Sequence, residues 1–167
     1  MEQLPIYCKK DILIAGCGNQ FFGDDGFGPE VIEYLETHYA VPKHVCLLDV
    51  GTGIRKILFT LSLSEVRPEV IVIIDAVDKG RNPGEIFEIL LTEIPEEKID
   101  DFSIHQVPSS NLLKELQDLC SVKVIVKACQ IKFIPDKIQP GLSKPVQTAV
   151  SLMAQNIADE FFSNKQK

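Results

Sequence analysis

The stretch Asp11-Ile12-Leu13-Ile14-Ala15-Gly16-Cys17-Gly18 sets a short aliphatic run directly against a turn built on two glycines. A run that is apolar on both faces and stops at such a turn reads as a buried parallel strand, because parallel strands are covered by helices on either side. Outward from it the alternation continues. Residues 29–39 place Val31, Ile32, Leu35 and Tyr39 on one helical face, with Pro29 in the first turn. Residues 45–49 form a second strand, followed by the turn Gly51-Thr52-Gly53 and a weaker helical stretch over 54–62. Val70 to Ile74 is apolar throughout and predicts a central strand ending at Asp75. After the turn Asn82-Pro83-Gly84, residues 85–90 alternate loosely, as an added antiparallel edge strand does. Leu112, Leu113, Leu116 and Cys120 define a helix capped by Ser109 or Ser110, and 122–128 supplies a further strand. Val146, Val150, Met153, Ile157 and Phe161 mark a long amphipathic helix capped near Ser143. The order β-α-β-α-β-β-α-β-α predicts an α/β three-layer sandwich, a twisted and mainly parallel five-stranded sheet with helices on both faces.

Composition fits this reading. The 167 residues, 45% hydrophobic and 25% charged, suit one globular domain over 1–167. The longest apolar run has five residues, Val70 to Ile74, against the ~20 needed to cross a bilayer, so no membrane association is expected. Met1-Glu2-Gln3-Leu4-Pro5 lacks the basic and then apolar pattern of a secretion leader, which predicts a cytoplasmic protein. With 17 basic against 24 acidic residues the charge is −7, which argues against nucleic acid as a partner. The five cysteines are odd in number and form no C-x-x-C pair, so reduced and partly buried thiols are expected. The sequence carries no sign of an oligomeric state.

In such sheets ligands bind beyond the carboxyl ends of the strands. Three of the expected strands lead into acids there: the first into Asp24 and Asp25, the second into Asp49, the third into Asp75. Acids in these places commonly cap helices, a role that suits Asp24. It suits Asp75 poorly, since a carboxylate directly after five branched aliphatic residues is costly unless paired or coordinated. His38 and His44 read as surface residues, whereas His105 lies in a loop that enters a helix on the same sheet edge as the acids. Two carboxylates and one imidazole suit a borderline divalent metal such as zinc or nickel. Competing chemistries have weaker support. Phe21 replaces the third glycine of a dinucleotide fingerprint, and no Gly-Lys-Ser/Thr occurs, so a Rossmann-like nucleotide or methyl-donor site is the alternative and not the leading reading. No Gly-x-Ser-x-Gly elbow is present, and Cys17 has no evident base.

The run from Gly16 to Gly28, with Asn19, Asp24 and Asp25 inside it, resembles the G-x-G-N-x-x-x-x-D-[DE]-x-x-G signature of nickel-iron hydrogenase maturation endopeptidases. Asp49-Val50-Gly51-Thr52-Gly53 is similar to the family's D-x-G-T-x-G turn, Asp75-Ala76 to its strand-ending D-A, His105-Gln106 to its H-Q, and Asn82-Pro83-Gly84 to its P-G turn. The motifs follow the family's order across nearly the whole chain. The resemblance implies a protease that removes a C-terminal extension from a hydrogenase large-subunit precursor after nickel insertion, with overall likeness to the members serving deazaflavin-coenzyme-reducing hydrogenases. It implies Asp25, Asp75 and His105 as metal-contacting and catalytic residues; the first is Glu in many members. Asp24, Asp49, Gly51 and Thr52 are the implied substrate contacts. The nickel would arrive on the substrate as a proof of loading, and zinc or cadmium can take the same site in vitro. Water activation falls either to the metal or to an unliganded acid such as Asp24 or Asp49, and a nickel checkpoint that does not cut is the non-enzymatic alternative.

Overall fold

A computed structural model describes residues 3–93 and 109–163. Its elements are α1 (Ile6–Lys9), β1 (Ile12–Cys17), α2 (Phe27–His38), β2 (Val45–Gly51), α3 (Ile54–Leu63), β3 (Val70–Val77), β4 (Ile86–Ile89), α4 (Ser109–Cys120), β5 (Lys123–Gln130) and α5 (Lys144–Phe161), with a 3₁₀ turn over Gly23–Gly26 ahead of α2. The five strands lie in the order β2-β1-β3-β5-β4. All pairs are parallel except β4 against β5, as the loose alternation of the fourth segment predicts. The short α1 was not foreseen: four residues are too few to show a helical period. Ser109 and Ser110, expected to cap α4, already lie inside it.

Alternation along β1 sends Ile12 and Ile14 into one core and Leu13 and Ala15 into the other. The first core lies under α2 and α5, where Val31, Ile32 and Leu35 meet Val146, Val150, Met153, Ile157 and Phe161. The second lies under α3 and α4, with Leu58, Leu61, Leu113 and Leu116 against Ile71 and Ile73. Strands covered on both faces explain why β1 is buried over its whole length. One polar intruder is compensated: Lys127 on β5 is 3% exposed, and its ammonium donates to Glu88 Oε1 at 2.9 Å, Asn156 Oδ1 at 2.7 Å and Glu160 Oε2 at 2.8 Å. It thereby ties β4 and α5 to the sheet.

The covering of β1 by α2 is exceptionally close. A Cβ at Gly28 would stand 2.3 Å from the Cys17 oxygen and 2.7 Å from the Ile74 oxygen, and one at Gly16 would stand 2.5 Å from the Gly28 oxygen. These neighbours are backbone atoms of two strands and of α2 itself, and they cannot rotate aside. Gly28→Ala is therefore expected to cost about 3 kcal/mol, the upper end of overpacking penalties, read as a lowered urea midpoint at unchanged m-value.

Candidate active site

The registers bring the strand ends to one rim. Gly16 pairs with Asp49 on one side and with Ile74 on the other, so Asp75 begins one residue beyond the end of that ladder. The register shifts between Gly16 and Cys17, and Cys17 then faces Gly51. Asp49 is exposed, and its Oδ1 accepts the Gly51 amide at 2.9 Å; Thr52 is exposed in the turn that follows. Gly18, at φ 137°, has its amide on the Gly51 oxygen at 2.9 Å. A Cβ at Gly18 would lie 1.9 Å from the Asp25 oxygen, so only glycine lets the turn fold back on Asp25. The Asn19 amide then donates both to that oxygen and to Asp25 Oδ2, each at 3.1 Å. The two glycines thus shape the backbone that seats Asp25, as their place in the sequence suggests.

Asp25 and Asp75 are each 2% exposed, and Asp75 Oδ1 accepts the Ala76 amide at 2.9 Å. Their convergence registers in the thiol of Cys17: its pKa is raised well above the usual value, first by burial and then by the charges of Asp75, Asp49 and Asp25. Three carboxylates drawn from 24 and 26 residues apart along the chain therefore act on one buried atom. A rim of this charge attracts cations, and two buried carboxylates are the oxygen half of the donor set expected from the sequence. His105, the expected nitrogen donor, lies outside the described residues. Among the described residues no group of three His, Cys, Asp or Glu could hold a metal ion.

Asp24 turns out to have a structural task. It is 1% exposed, and its carboxylate accepts the amides of Lys132 at 2.9 Å, Phe133 at 3.1 Å and Ser143 at 2.7 Å, together with the Ser143 hydroxyl at 2.9 Å. Both oxygens are engaged away from solvent, which speaks against this residue as a substrate contact or general base; nor does it cap the helix that follows it, since α2 has no side-chain cap, and its partners lie instead in the segment between β5 and α5. Ser143, at the start of α5, gives its hydroxyl to Asp24 and makes no side-chain cap of its own. Gln130 was not singled out from the sequence. It is 3% exposed; its Oε1 accepts the amides of Lys79 at 2.8 Å and Arg81 at 3.2 Å, and its Nε2 donates to Asp78 Oδ1 at 3.0 Å. It fixes the loop after β3, and that hydrogen bond holds the Asp78 carboxyl below its usual range. The only sign in the sequence is an amide ending an apolar strand, where a buried polar group must find partners.

The dinucleotide alternative loses its physical basis. No helix begins behind Gly16 and Gly18; α2 starts at Phe27, Phe21 is 60% exposed, and Gly28 makes the close helix contact. His38 is exposed with Nδ1 on the Tyr34 oxygen, and His44 Nε2 meets the Phe161 oxygen, so neither approaches the acids.

Comparison with known proteins gives this rim its class. The profile of the family described as hydrogenase maturation protease matches residues 29–160. The chain is 40% identical over 153 residues to a protein of Methanocaldococcus jannaschii provisionally named a hydrogenase maturation protease, covering 91% of this chain and 97% of that one. It is 36% identical over 159 residues to the coenzyme F420 hydrogenase subunit delta of Methanothermobacter thermautotrophicus, covering 93% and 97%. The crystal structure of the hydrogenase 3 maturation protease superposes with a TM-score of 0.72 at 26% identity, covering 89% of each chain. That of a [NiFe] hydrogenase maturation protease from Thermococcus kodakarensis shares the fold at a TM-score of 0.75, with 93% and 94% covered. The chain belongs to the hydrogenase maturation protease family, and it is a peptidase.

Two outcomes follow from the site as built. Asp24→Ala would orphan three amides and a hydroxyl and should cost about 3 kcal/mol or more in urea denaturation, whereas Asp24→Asn, which keeps one acceptor oxygen, should cost less. Burial also pushes the Cys129 thiol up to about 12, and both it and Cys17 stay protonated at pH 8. Mass spectrometry after alkylation of the native protein at that pH should find neither modified, against a nucleophilic role for Cys17.

Proposed function

We propose that this peptidase removes the C-terminal extension of a hydrogenase large-subunit precursor that already carries nickel. The observation that carries the reading is the convergence of the buried Asp25 and Asp75 at the carboxyl rim of a chain of this family. In this reading Asp25, Asp75 and His105 contact the nickel borne by the substrate. Two carboxylates and an imidazole leave coordination positions for the precursor's own ligands, and zinc or cadmium can stand in for nickel in vitro. A metal held this way supplies charge for the oxyanion of the tetrahedral intermediate and can lower the pKa of a water. Asp49, exposed at the rim and bonded through only one of its oxygens to the Gly51 amide, is the acid best placed to take a proton from that water. The Gly51-Thr52-Gly53 turn beside it offers exposed backbone to the substrate chain. Nickel thus serves as the test of a correctly loaded substrate, and cleavage follows recognition.

The name of the Methanothermobacter thermautotrophicus relative, a coenzyme F420 hydrogenase subunit, supports a deazaflavin-coenzyme-reducing hydrogenase as the client. No described helix is long and apolar enough to cross a membrane, which accords with work in the cytoplasm on a newly made precursor. His105→Ala and Asp75→Asn should each slow trimming of nickel-loaded precursor by at least about 100-fold, since each removes one of three ligands. Mass spectrometry of the precursor reads the cleavage, and circular dichroism verifies the fold. Wild-type rates in both variants would remove these residues from the mechanism. Tight binding of the precursor by the wild-type protein with no change in precursor mass would make it a checkpoint instead.

A further inference from the structure

Next to the acidic rim stands an exposed apolar surface that the chemistry above does not use. Phe21 is 60%, Phe133 58% and Ile138 72% exposed. They come from two segments, the glycine turn after β1 and the loop between β5 and α5, joined by a parallel bridge between Phe22 and Gln139. The Gln139 amide donates to the Phe21 oxygen at 2.8 Å, and the Gly23 amide to the Gln139 oxygen at 2.9 Å, which sets Phe21 beside Ile138. Asp24 fixes the backbone of Phe133, while the Phe21 amide is held by Asn19 Oδ1 at 3.0 Å. These side chains are displayed on a hydrogen-bonded frame and are not the tips of loose loops, so their exposure is built in. The same turn carries Asp25, so this surface lies within one short segment of the site. Its charge is distinctive as well: residues 131–145 hold Lys132, Lys137 and Lys144 against Asp136 alone, a basic island on a chain of net charge −7.

We propose that Phe21, Phe133 and Ile138, flanked by Lys132 and Lys137, form a docking surface for an apolar segment of the precursor that bears carboxylates. The assignment rests on the precursor-processing reading and adds to it the residues that select the substrate at a distance from the metal. Apolar contact supplies affinity, and the lysines steer the acidic segment toward the rim. Because docking precedes the chemical step, this surface acts on KM and not on kcat.

The test uses the full chain and nickel-loaded precursor. F21Q/I138Q is expected to raise KM about tenfold with kcat within about twofold of wild type, because uniform binding alone is lost. K132E/K137E should also raise KM and flatten its dependence on salt. Calorimetric titration of each protein with the precursor reads the same loss as a weaker Kd, so the surface is tested even if trimming itself fails. Absence of trimming by the wild type overturns the processing reading; equal precursor affinity of wild type and F21Q/I138Q overturns the docking surface. An unchanged KM, or a fall in kcat alone, also overturns it. So does a wild-type dimer in sedimentation that F21Q/I138Q converts to monomer, since a second copy would then be the occupant.

Discussion

The contact of Gly16 with Gly28 governs the architecture around the site. At Gly16 and Gly28 the backbones of β1 and α2 meet directly, and the Gly28 position also abuts the Ile74 oxygen within β3. So close an approach leaves the nine residues between Cys17 and Phe27 no room to continue β1 or to begin α2 sooner. They fold instead into the compact turn that swings Asp25 over the ends of β1 and β3. In a dinucleotide-binding sheet the same closeness is reached immediately after the strand and the helix N-terminus meets phosphate. Here it is delayed until Gly28, and the intervening turn brings the buried Asp25 carboxylate to the rim.

Burial of charge is the recurring cost of this arrangement, and the protein answers it differently at each position. Asp24 is surrounded by amides, which makes it a fastener between the glycine turn, the end of β5 and the start of α5. Lys127 is answered by two carboxylates that remain partly in water, at 2.8 and 2.9 Å, so its charge is balanced without burying theirs. Gln130 carries no charge and spends its amide on the loop after β3. Asp25 and Asp75 are handled otherwise, since they face one another's neighbourhood across a thiol whose ionisation they oppose. There three carboxylates act on one buried thiol, and that concentration is what marks the rim.

The sheet was legible because its strands are nearly pure in character. Val70 to Ile74 admits no reading but a covered strand, and the four-three-four-four spacing from Val146 to Phe161 admits no reading but a helix; all five of those residues are buried. Asp75 was legible for a related reason, since an acid directly after five branched aliphatic residues contradicts its surroundings, although β3 runs on through it to Val77 instead of ending there; Asp25 was legible through the glycine-turn signature around it. What could not be read was partnership over long separations. The donors to Asp24 lie 108 to 119 residues downstream in a loop without pattern, and nothing local distinguishes a carboxylate that binds amides from one that binds substrate. Gln130 was missed on the same account. Phe21 was noticed only for not being glycine, because sequence shows which residue is apolar and not which is left in water.

The borders of the sheet bear on how such a protein stays in solution. A strand at a border offers unpaired amides and carbonyls to any other extended chain. At one border β4 has only four residues, Arg81 lays its guanidinium 3.9 Å from the centre of the Phe87 ring, and Glu88 is held by Lys127. A short ladder dressed with charge is a poor template for growth by strand addition, even though the β-rich segments behind it are among the most aggregation-prone compositions a chain can carry.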